Sequence, residues 1–170
     1  MPAERPRGGW PDARAPENTD GRLPTVEWAG DGDPGYLLRP SPDSEFFFSE
    51  LADGRFVLRF CPSCSRPRYP HAPVCPYCGT DGYEWRPAPA DGCVLSWARC
   101  HLEFVPEFAP LLPYVVLDVQ MAVGVRIIAR LAPGQPEPFA GLAVRLAAER
   151  WPGGTAVPIF VSREAQEEAS

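Results

Sequence analysis

Four of the six cysteines lie in two short motifs whose spacing is typical of a metal site. Cys61-Pro-Ser-Cys64 and Cys75-Pro-Tyr-Cys78 are C-x-x-C knuckles separated by ten residues. Each knuckle forms a tight turn that directs two sulfurs at one point, and Gly79 lets the chain reverse after the second knuckle. Four thiolates complete a tetrahedral shell around zinc and leave no coordination position for a substrate. The motifs therefore predict a structural zinc ion held by these four cysteines.

Two other chemistries use the same ligands. A redox-active dithiol suits these paired knuckles less well than a metal does, and the long β-rich region after them is not typical of a rubredoxin-type iron carrier. His71 lies between the knuckles as an alternative ligand, although four cysteines suffice. Cys93 and Cys100 lie seven residues apart on a predicted strand, so one is expected to face inward and the other outward. Neither is assigned as a nucleophile.

The sequence shows no complete set of catalytic side chains. It has no recognisable Ser/His/Asp arrangement, paired-carboxylate motif, phosphate-binding loop or G-x-G-x-x-G fingerprint. His101 follows Ser96 and Trp97 on a predicted strand, where a single histidine is usually structural. We therefore predict a protein that has no active site of its own.

The segments before the cysteines differ in composition. Residues 1–40 contain seven prolines and six glycines, which favours a flexible tail in which Trp10, Trp28 and Tyr36 are isolated aromatic residues. Residues 41–55 predict a short helical segment, in which Ser41 and Pro42 suit the start and Gly54 the end. This helix carries three consecutive phenylalanines, which pack either into the core or against a partner chain: Phe46, Phe47 and Phe48.

The remaining segments predict a mainly β protein. A strand over 56–60 leads into a zinc ribbon and linker that together span 56–92. Residues 93–163 then alternate apolar and polar side chains in five strands, with a long connection after the third. This count fits a five-stranded Greek-key barrel of the OB type, and an open antiparallel sandwich is the alternative. The strands are predicted over 93–104, 114–121, 125–131, 142–149 and 156–161, and an acidic tail follows over 164–170.

Composition argues against several classes of protein. The net charge is −6 and all sixteen basic residues are arginine, which disfavours binding to a nucleic-acid backbone. The longest apolar run, over 111–117, contains Pro113 and is far shorter than the ~20 residues that cross a membrane. The N-terminus has no signal-peptide pattern. We therefore expect a cytoplasmic protein that binds neither nucleic acid nor membranes, with its cysteines reduced or bound to metal.

The succession of helix, four-cysteine ribbon and barrel resembles domain-of-unknown-function family thirty-five, whose zinc-ribbon/OB proteins accompany thiolases. The resemblance covers about residues 41–161. It depends on the order of all the pieces, because the ribbon alone is common to many proteins. The matching stretches are 43–47, 54–58, 61–70, 75–79, 94–97 with His101, 113–116, 124–126, 141–145 and 158–160.

The resemblance implies an N-terminal helix, a rubredoxin-like zinc ribbon and a five-stranded OB-fold barrel. It implies a non-catalytic accessory subunit that binds a thiolase-fold enzyme, such as a thiolase, a sterol-carrier-protein-type aldolase of steroid side-chain breakdown or an acyltransferase. The subunit would stabilise that enzyme and help to form the channel for a CoA thioester shared with it. Because thiolase-fold enzymes are dimers, a two-plus-two complex is expected. The alternative is a module that binds single-stranded nucleic acid, although the chain lacks the basic groove that this requires.

Two groups of side chains are candidates for contact with CoA or with the partner. The arginines project from the polar sides of predicted neighbouring strands, and guanidinium groups suit the phosphates of CoA. They are Arg126, Arg130 and Arg145. The second group consists of Phe46, Phe47, Phe48, Trp97 and His101.

Overall fold

The computed structural model describes residues 21–69 and 72–163. Trp10, His71, the predicted acidic tail and the first half of the predicted flexible tail lie outside these ranges. Within the described part, no helix has the length and apolar character needed to cross a membrane. The described part holds one α-helix, α1 (Glu45–Ala52), and nine strands: β1 (Thr25–Glu27), β2 (Val57–Phe60), β3 (Pro67–Arg68), β4 (Glu84–Pro87), β5 (Asp91–Cys100), β6 (Tyr114–Met121), β7 (Arg126–Leu131), β8 (Ala143–Arg150) and β9 (Ala156–Ser162).

The barrel consists of strands β5 to β9, as predicted. The strands follow the order β8-β5-β6-β7-β9, and pairing of β8 with β9 closes the ring. Strands β7 and β9 run parallel, whereas the other neighbours within the barrel are antiparallel. The inward positions of β6 and β7 match the predicted alternation, since Leu117, Val119 and Ile127 are fully buried. The OB-fold prediction is confirmed.

The described part of the leader, residues 21–40, packs against this barrel. Strand β1 pairs in parallel with the end of β8, and a 3-10 helix spans Pro34–Leu37. Trp28 packs edge-on against Phe108 and Trp151, with ring centroids 4.9 Å and 5.7 Å away. The structure therefore differs here from the predicted flexible tail, because contacts distant in sequence outweigh the local content of proline and glycine.

Helix α1 joins the ribbon to the barrel. It lies within the predicted segment over 41–55, but Ser44 rather than Ser41 precedes its first turn. Gly54, at a φ of +72°, donates its N–H to the carbonyl of Leu51 and ends the helix as predicted. Leu51 is buried in the same apolar cluster as Phe56 of the ribbon and the inner face of the barrel.

The ribbon sheet has the order β3-β2-β4. Strand β4 falls within the segment that the sequence predicted as part of a linker, and it pairs antiparallel with the whole of β2. The prolines around this strand masked its pattern, since Pro87 itself occupies its last position. Proline is tolerated at the edge of a sheet, and β4 is an edge strand.

Strand β5 departs from regular alternation. It ends at Cys100 rather than at the predicted residue 104, and its register with β6 shifts between Val94 and Ser96. Cys93 lies opposite Gln120 and Cys100 opposite Tyr114, which are both outward positions of β6. The prediction that one cysteine faces inward is therefore wrong, because the irregularity moves the alternation by one residue.

Candidate metal centre

The two knuckles have the same backbone hydrogen bonds. The Cys61 N–H donates to the carbonyl of Arg66 at 3.0 Å, and the Ser65 N–H donates to the carbonyl of Cys61 at 2.9 Å. In the second knuckle, Cys75 donates to the carbonyl of Thr80 at 3.0 Å and Gly79 donates to that of Cys75 at 2.9 Å. These bonds close each turn so that both cysteines of a knuckle point to the same side.

The residue after each knuckle has a left-handed backbone. Gly79 has a φ of +72°, as its position in the sequence indicated, and Ser65 occupies the equivalent place in the first knuckle with a φ of +56°. Ser65 is the one described residue other than glycine with a positive φ. A serine carries a modest steric cost in this region, so the fold of the first knuckle tolerates some local strain.

The four sulfurs form one compact cluster. They all lie within 4.8 Å of one another, with Cys61 Sγ 3.6 Å from Cys78 Sγ and Cys64 Sγ 3.7 Å from Cys75 Sγ. In a tetrahedron with zinc–sulfur bonds of about 2.3 Å, neighbouring sulfurs lie about 3.8 Å apart. The cysteines come from different knuckles in each close pair, so the two turns interlock around one centre that fits a zinc ion.

The surroundings favour loss of a proton from some of these thiols and oppose it for another. The backbone amide of Cys64 lowers the pKa of Cys61 to about 6, against burial, which raises it. The hydroxyl of Thr80, 3.3 Å from Cys78 Sγ, lowers the pKa of Cys78. For Cys64, the amide of Arg66 lowers the pKa, but burial and the neighbouring sulfurs outweigh it and raise the value to about 11. A bound dication supplies the positive charge that lets all four ionise together.

Arg68 holds the segment between the knuckles, a role that no sequence motif indicates. Its side chain is only 1% exposed, and its guanidinium donates to the carbonyls of Ala72, Pro73 and Gly82. Its two terminal nitrogens have carbonyl oxygens as partners, so carbonyl dipoles face most of the buried charge, whereas Nε has no hydrogen-bond partner in the described part of the chain. Nothing in the sequence separates this arginine from the exposed Arg66 two residues earlier.

Arg59 connects the ribbon to the start of helix α1. It is 2% exposed, and its guanidinium donates to the carboxylate and the backbone carbonyl of Asp43. The same group lies 3.8 Å from the ring centroid of Tyr83 and 5.1 Å from that of Trp85. This stacked arrangement fixes the start of the helix against Tyr83 and strand β4.

Family models match two consecutive parts of the chain. Residues 48–84 match the rubredoxin-like zinc ribbon domain of ChsH2, and residues 85–149 match the C-terminal OB-fold domain of ChsH2. A chain of the solved "Ltp2-ChsH2(DUF35) aldolase" is 30% identical with a TM-score of 0.63, and the alignment covers 73% of this chain and 98% of that one. The chain belongs to the ChsH2 family. The ribbon of this ChsH2-family protein, with its four clustered sulfurs, is a structural zinc site.

Two further relatives extend the comparison. A DUF35-family protein of unknown function from Sulfolobus solfataricus shares the fold of this ChsH2-family chain, with 16% identity, a TM-score of 0.53, and coverage of 72% of this chain and 86% of that one. A "Probable enoyl-CoA hydratase alpha subunit" from Thermomonospora curvata is 33% identical over 104 residues, or 59% of this chain. That alignment covers 32% of the relative, so this chain spans about a third of the curated protein that it matches.

The three candidate arginines have separate partners. Arg126 and Arg130 lie on β7 and Arg145 lies on β8, and β9 separates these strands, which the sequence had placed as neighbours. Arg126 is 61% exposed and ion-paired with Asp118. Arg145 donates to the carbonyl of Arg22 at 3.1 Å.

Arg130 is the most enclosed of the three. Its side chain is 11% exposed and pairs with Glu149, which is 1% exposed. Its guanidinium also lies 5.6 Å from the ring centroid of Trp28 and 5.3 Å from that of Phe108. These contacts hold Arg130 in a structural position between the barrel and the leader.

The candidate aromatic residues divide between the core and the surface. Phe47 is buried in the main core, and Phe48 is partly buried beside it. Phe46 is 44% exposed and packs against the ring of Trp85, with centroids 5.0 Å apart. Trp97 on β5 is 42% exposed, and His101, directly after β5, is exposed as well.

Proposed function

We propose that this protein is a non-catalytic accessory subunit of a thiolase-fold enzyme that acts on acyl-CoA thioesters. The observation that carries the proposal is the 30% identity to the ChsH2(DUF35) chain of a solved aldolase, over 98% of that chain. The solved aldolase is named for two components, Ltp2 and ChsH2. By analogy, this chain would associate with a larger catalytic enzyme.

The chemistry of the described residues supports a non-catalytic role. Among them, the group of four cysteines is the single cluster of three or more metal-ligating side chains. A four-sulfur shell has no open position for a substrate, so its contribution is to folding. Catalysis is therefore assigned to the partner, for which the family resemblance implies a thiolase, an aldolase or an acyltransferase.

A cleft at one end of the barrel is the proposed wall of the substrate channel. It has a volume of about 340 Å³ and lies between the ends of β5, β6 and β7 and the loop over 132–138. Arg99, Tyr114 and Gln135 are among its lining residues. The mouth of a small barrel is a frequent location for ligands. We assign it to a segment of the acyl-CoA substrate that passes from this subunit to the partner.

Contact with the phosphates of CoA is assigned first to Arg126. Its head group is exposed, and its Nε lies 3.1 Å from Asp118 Oδ1, so a phosphate would compete with a single carboxylate whose side chain is 16% exposed. Arg130 would have to leave a buried carboxylate, and Arg145 a backbone carbonyl, before either could bind phosphate. Two copies of the subunit are proposed for each dimeric partner.

Binding of single-stranded nucleic acid has less support. The arginines of the barrel that such a ligand would use are paired with carboxylates, namely Arg99 with Glu137, Arg126 with Asp118 and Arg130 with Glu149. A net charge of −6 also opposes a phosphate backbone. A salt-dependent gel shift with an oligonucleotide would distinguish this alternative.

Co-expression tests the proposal. The tagged chain is produced together with each thiolase-fold enzyme of the source genome, and the enzymes retained on the affinity resin are identified. We expect one of them to be retained in a defined ratio and to gain thermal stability. If none is retained and none changes in stability, the proposed function is wrong.

A further inference from the structure

The segment Leu95–Phe104, here called the β5 arm, is exposed to an unusual degree. Every residue of the arm except Cys100 is exposed, including residues whose neighbours in the barrel are buried. Four of its side chains are large and apolar, and their exposed fractions are 43% for Leu95, 42% for Trp97, 65% for Leu102 and 73% for Phe104. Four large apolar side chains exposed within ten residues indicate a candidate interaction surface.

Strand β6, which pairs with β5, is buried where the arm is exposed. Trp97 lies opposite Leu117 and Arg99 lies opposite Val115. Leu117 is 0% exposed and Val115 is 8% exposed, so the β6 positions are covered by the barrel. At the paired positions β5 is exposed where β6 is buried, so the ring of Trp97 is accessible to another protein.

Among residues 21–69 and 72–163, no strand pairs with the edge of the arm that faces away from β6. On the side away from β6, the last backbone hydrogen bonds in the described part of the chain join Val94 to Gly141 and Leu142. Glu137 is the ion-pair partner of Arg99. The prolines on both sides of Glu137 have no N–H, which prevents this loop from donating there as an additional strand. A protein that binds the arm can therefore contact both apolar side chains and unpaired backbone groups.

The charge of the arm indicates what kind of protein fits it. Glu103 lies between Leu102 and Phe104, and no arginine occurs from residue 100 to residue 125. The other charge of the arm, Arg99, is already paired with Glu137, whereas no ion pair to Glu103 occurs among the described residues. A two-fold contact between two copies would therefore bring an unpaired Glu103 from each copy into the interface. A different protein with basic residues around an apolar patch is complementary in both respects.

From these observations we infer that the β5 arm is the principal docking element for the catalytic partner, which covers Leu102 and Phe104 with an apolar patch and places basic side chains beside Glu103. The inference rests on the proposed function, because it names the surface through which that association takes place. Arg99 belongs both to the arm and to the cleft, so docking here would bring the partner next to the proposed channel. Leu102 and Phe104 would act as the buried anchors of such an interface.

Substitution of the two anchors tests the inference. The double variant Leu102→Ser/Phe104→Ser is compared with Ile128→Ser, a matched control on β7 whose side chain is 68% exposed. Both variants are checked for bound zinc and for the circular dichroism of the original chain. Binding to the enzyme retained in the co-expression experiment is then measured by calorimetry. We expect the dissociation constant of the double variant to rise more than about tenfold and that of Ile128→Ser to stay within about twofold.

The outcomes separate the docking surface from the function. If the original chain binds the enzyme and the double variant binds equally well, the arm is not the docking element although the function stands. If Ile128→Ser weakens binding as much as the double variant does, the assignment to the arm is also wrong. If the original chain binds no thiolase-fold enzyme, the function itself fails. Self-association of the original chain that the double variant abolishes would overturn the choice of a heterologous partner.

Discussion

Arg130 and Glu149 form an ion pair that reaches across strand β9, from β7 to β8. The carboxylate is 1% exposed and the guanidinium 11% exposed, and Trp151 Nε1 donates to Glu149 Oε2 at 3.0 Å. Trp28 of the leader lies over the guanidinium. The pair therefore links the barrel to a leader segment that composition alone describes as loose.

Glu149→Gln is expected to destabilise the fold. The substitution leaves the Arg130 guanidinium in a mostly buried site without its counter-charge, which typically costs several kcal/mol. We expect the free energy of unfolding in urea to fall by about 3 kcal/mol, at the low end of the range for a broken buried pair because Arg130 keeps some exposure. The control is Arg126→Gln, which breaks an exposed pair and should cost less than about 1 kcal/mol. Equal losses in the two variants would contradict the structural role of the buried pair.

Trp28→Ala tests whether the leader is part of the folded domain. The substitution removes ring contacts with Phe108 and Trp151, and we expect a loss of about 2 kcal/mol in unfolding free energy because the side chain is only partly buried. Limited proteolysis should then cut within 21–40 earlier than in the original chain. Leu37→Ala, at a side chain that is 46% exposed, is the control. An unchanged rate of cleavage in Trp28→Ala would show that these contacts do not hold the leader.

Arg68→Gln is expected to weaken the zinc site without removing a ligand. The shorter, neutral side chain cannot reach all three carbonyls that Arg68 satisfies, and lost hydrogen bonds to a buried charge cost about 2–3 kcal/mol. Zinc should therefore transfer faster to a colorimetric chelator. The exposed Arg66, whose guanidinium lies 4.6 Å from the ring centroid of Tyr77, provides the control Arg66→Gln. Transfer at the original rate in Arg68→Gln would contradict its role between the knuckles.

Cys61→Ser is expected to remove zinc and to lower the stability of the fold rather than a catalytic activity. Structural zinc contributes directly to folding, so the ribbon should melt at a lower temperature and the protein should contain less than one zinc per chain. Cys93→Ser changes a cysteine outside the cluster and should leave metal content unchanged. A Cys61→Ser variant with full zinc content would show that this sulfur is not a ligand.

The sequence predicted the metal site and the barrel because both depend on local patterns. Two C-x-x-C motifs specify four ligands whatever the rest of the chain does, and strict alternation on β6 and β7 reports burial on one face. Gly54 and Gly79 were likewise identified correctly, since a positive φ selects for glycine.

Features that depend on distant contacts were not predictable. Arg68 and Arg66 have the same side chain, and only the tertiary fold buries the first of them. The irregularity between Val94 and Ser96 reversed the expected side of Cys100, and no residue type marks it. Trp28 packs against Phe108 and Trp151, which lie far along the chain. Leu102 and Phe104 alternate with polar residues as in a strand. Only the structure shows that they lie beyond the end of β5 with exposed side chains.

Turnover of an acyl-CoA thioester by the reconstituted complex tests the proposed role most directly. The zinc-loaded chain, the thiolase-fold enzyme and their purified complex are assayed side by side with the same thioester. A non-catalytic subunit predicts no turnover by the chain alone, and higher activity or a longer active lifetime for the complex than for the enzyme alone. Turnover by the isolated chain, or a complex that gains neither activity nor lifetime, would contradict that role.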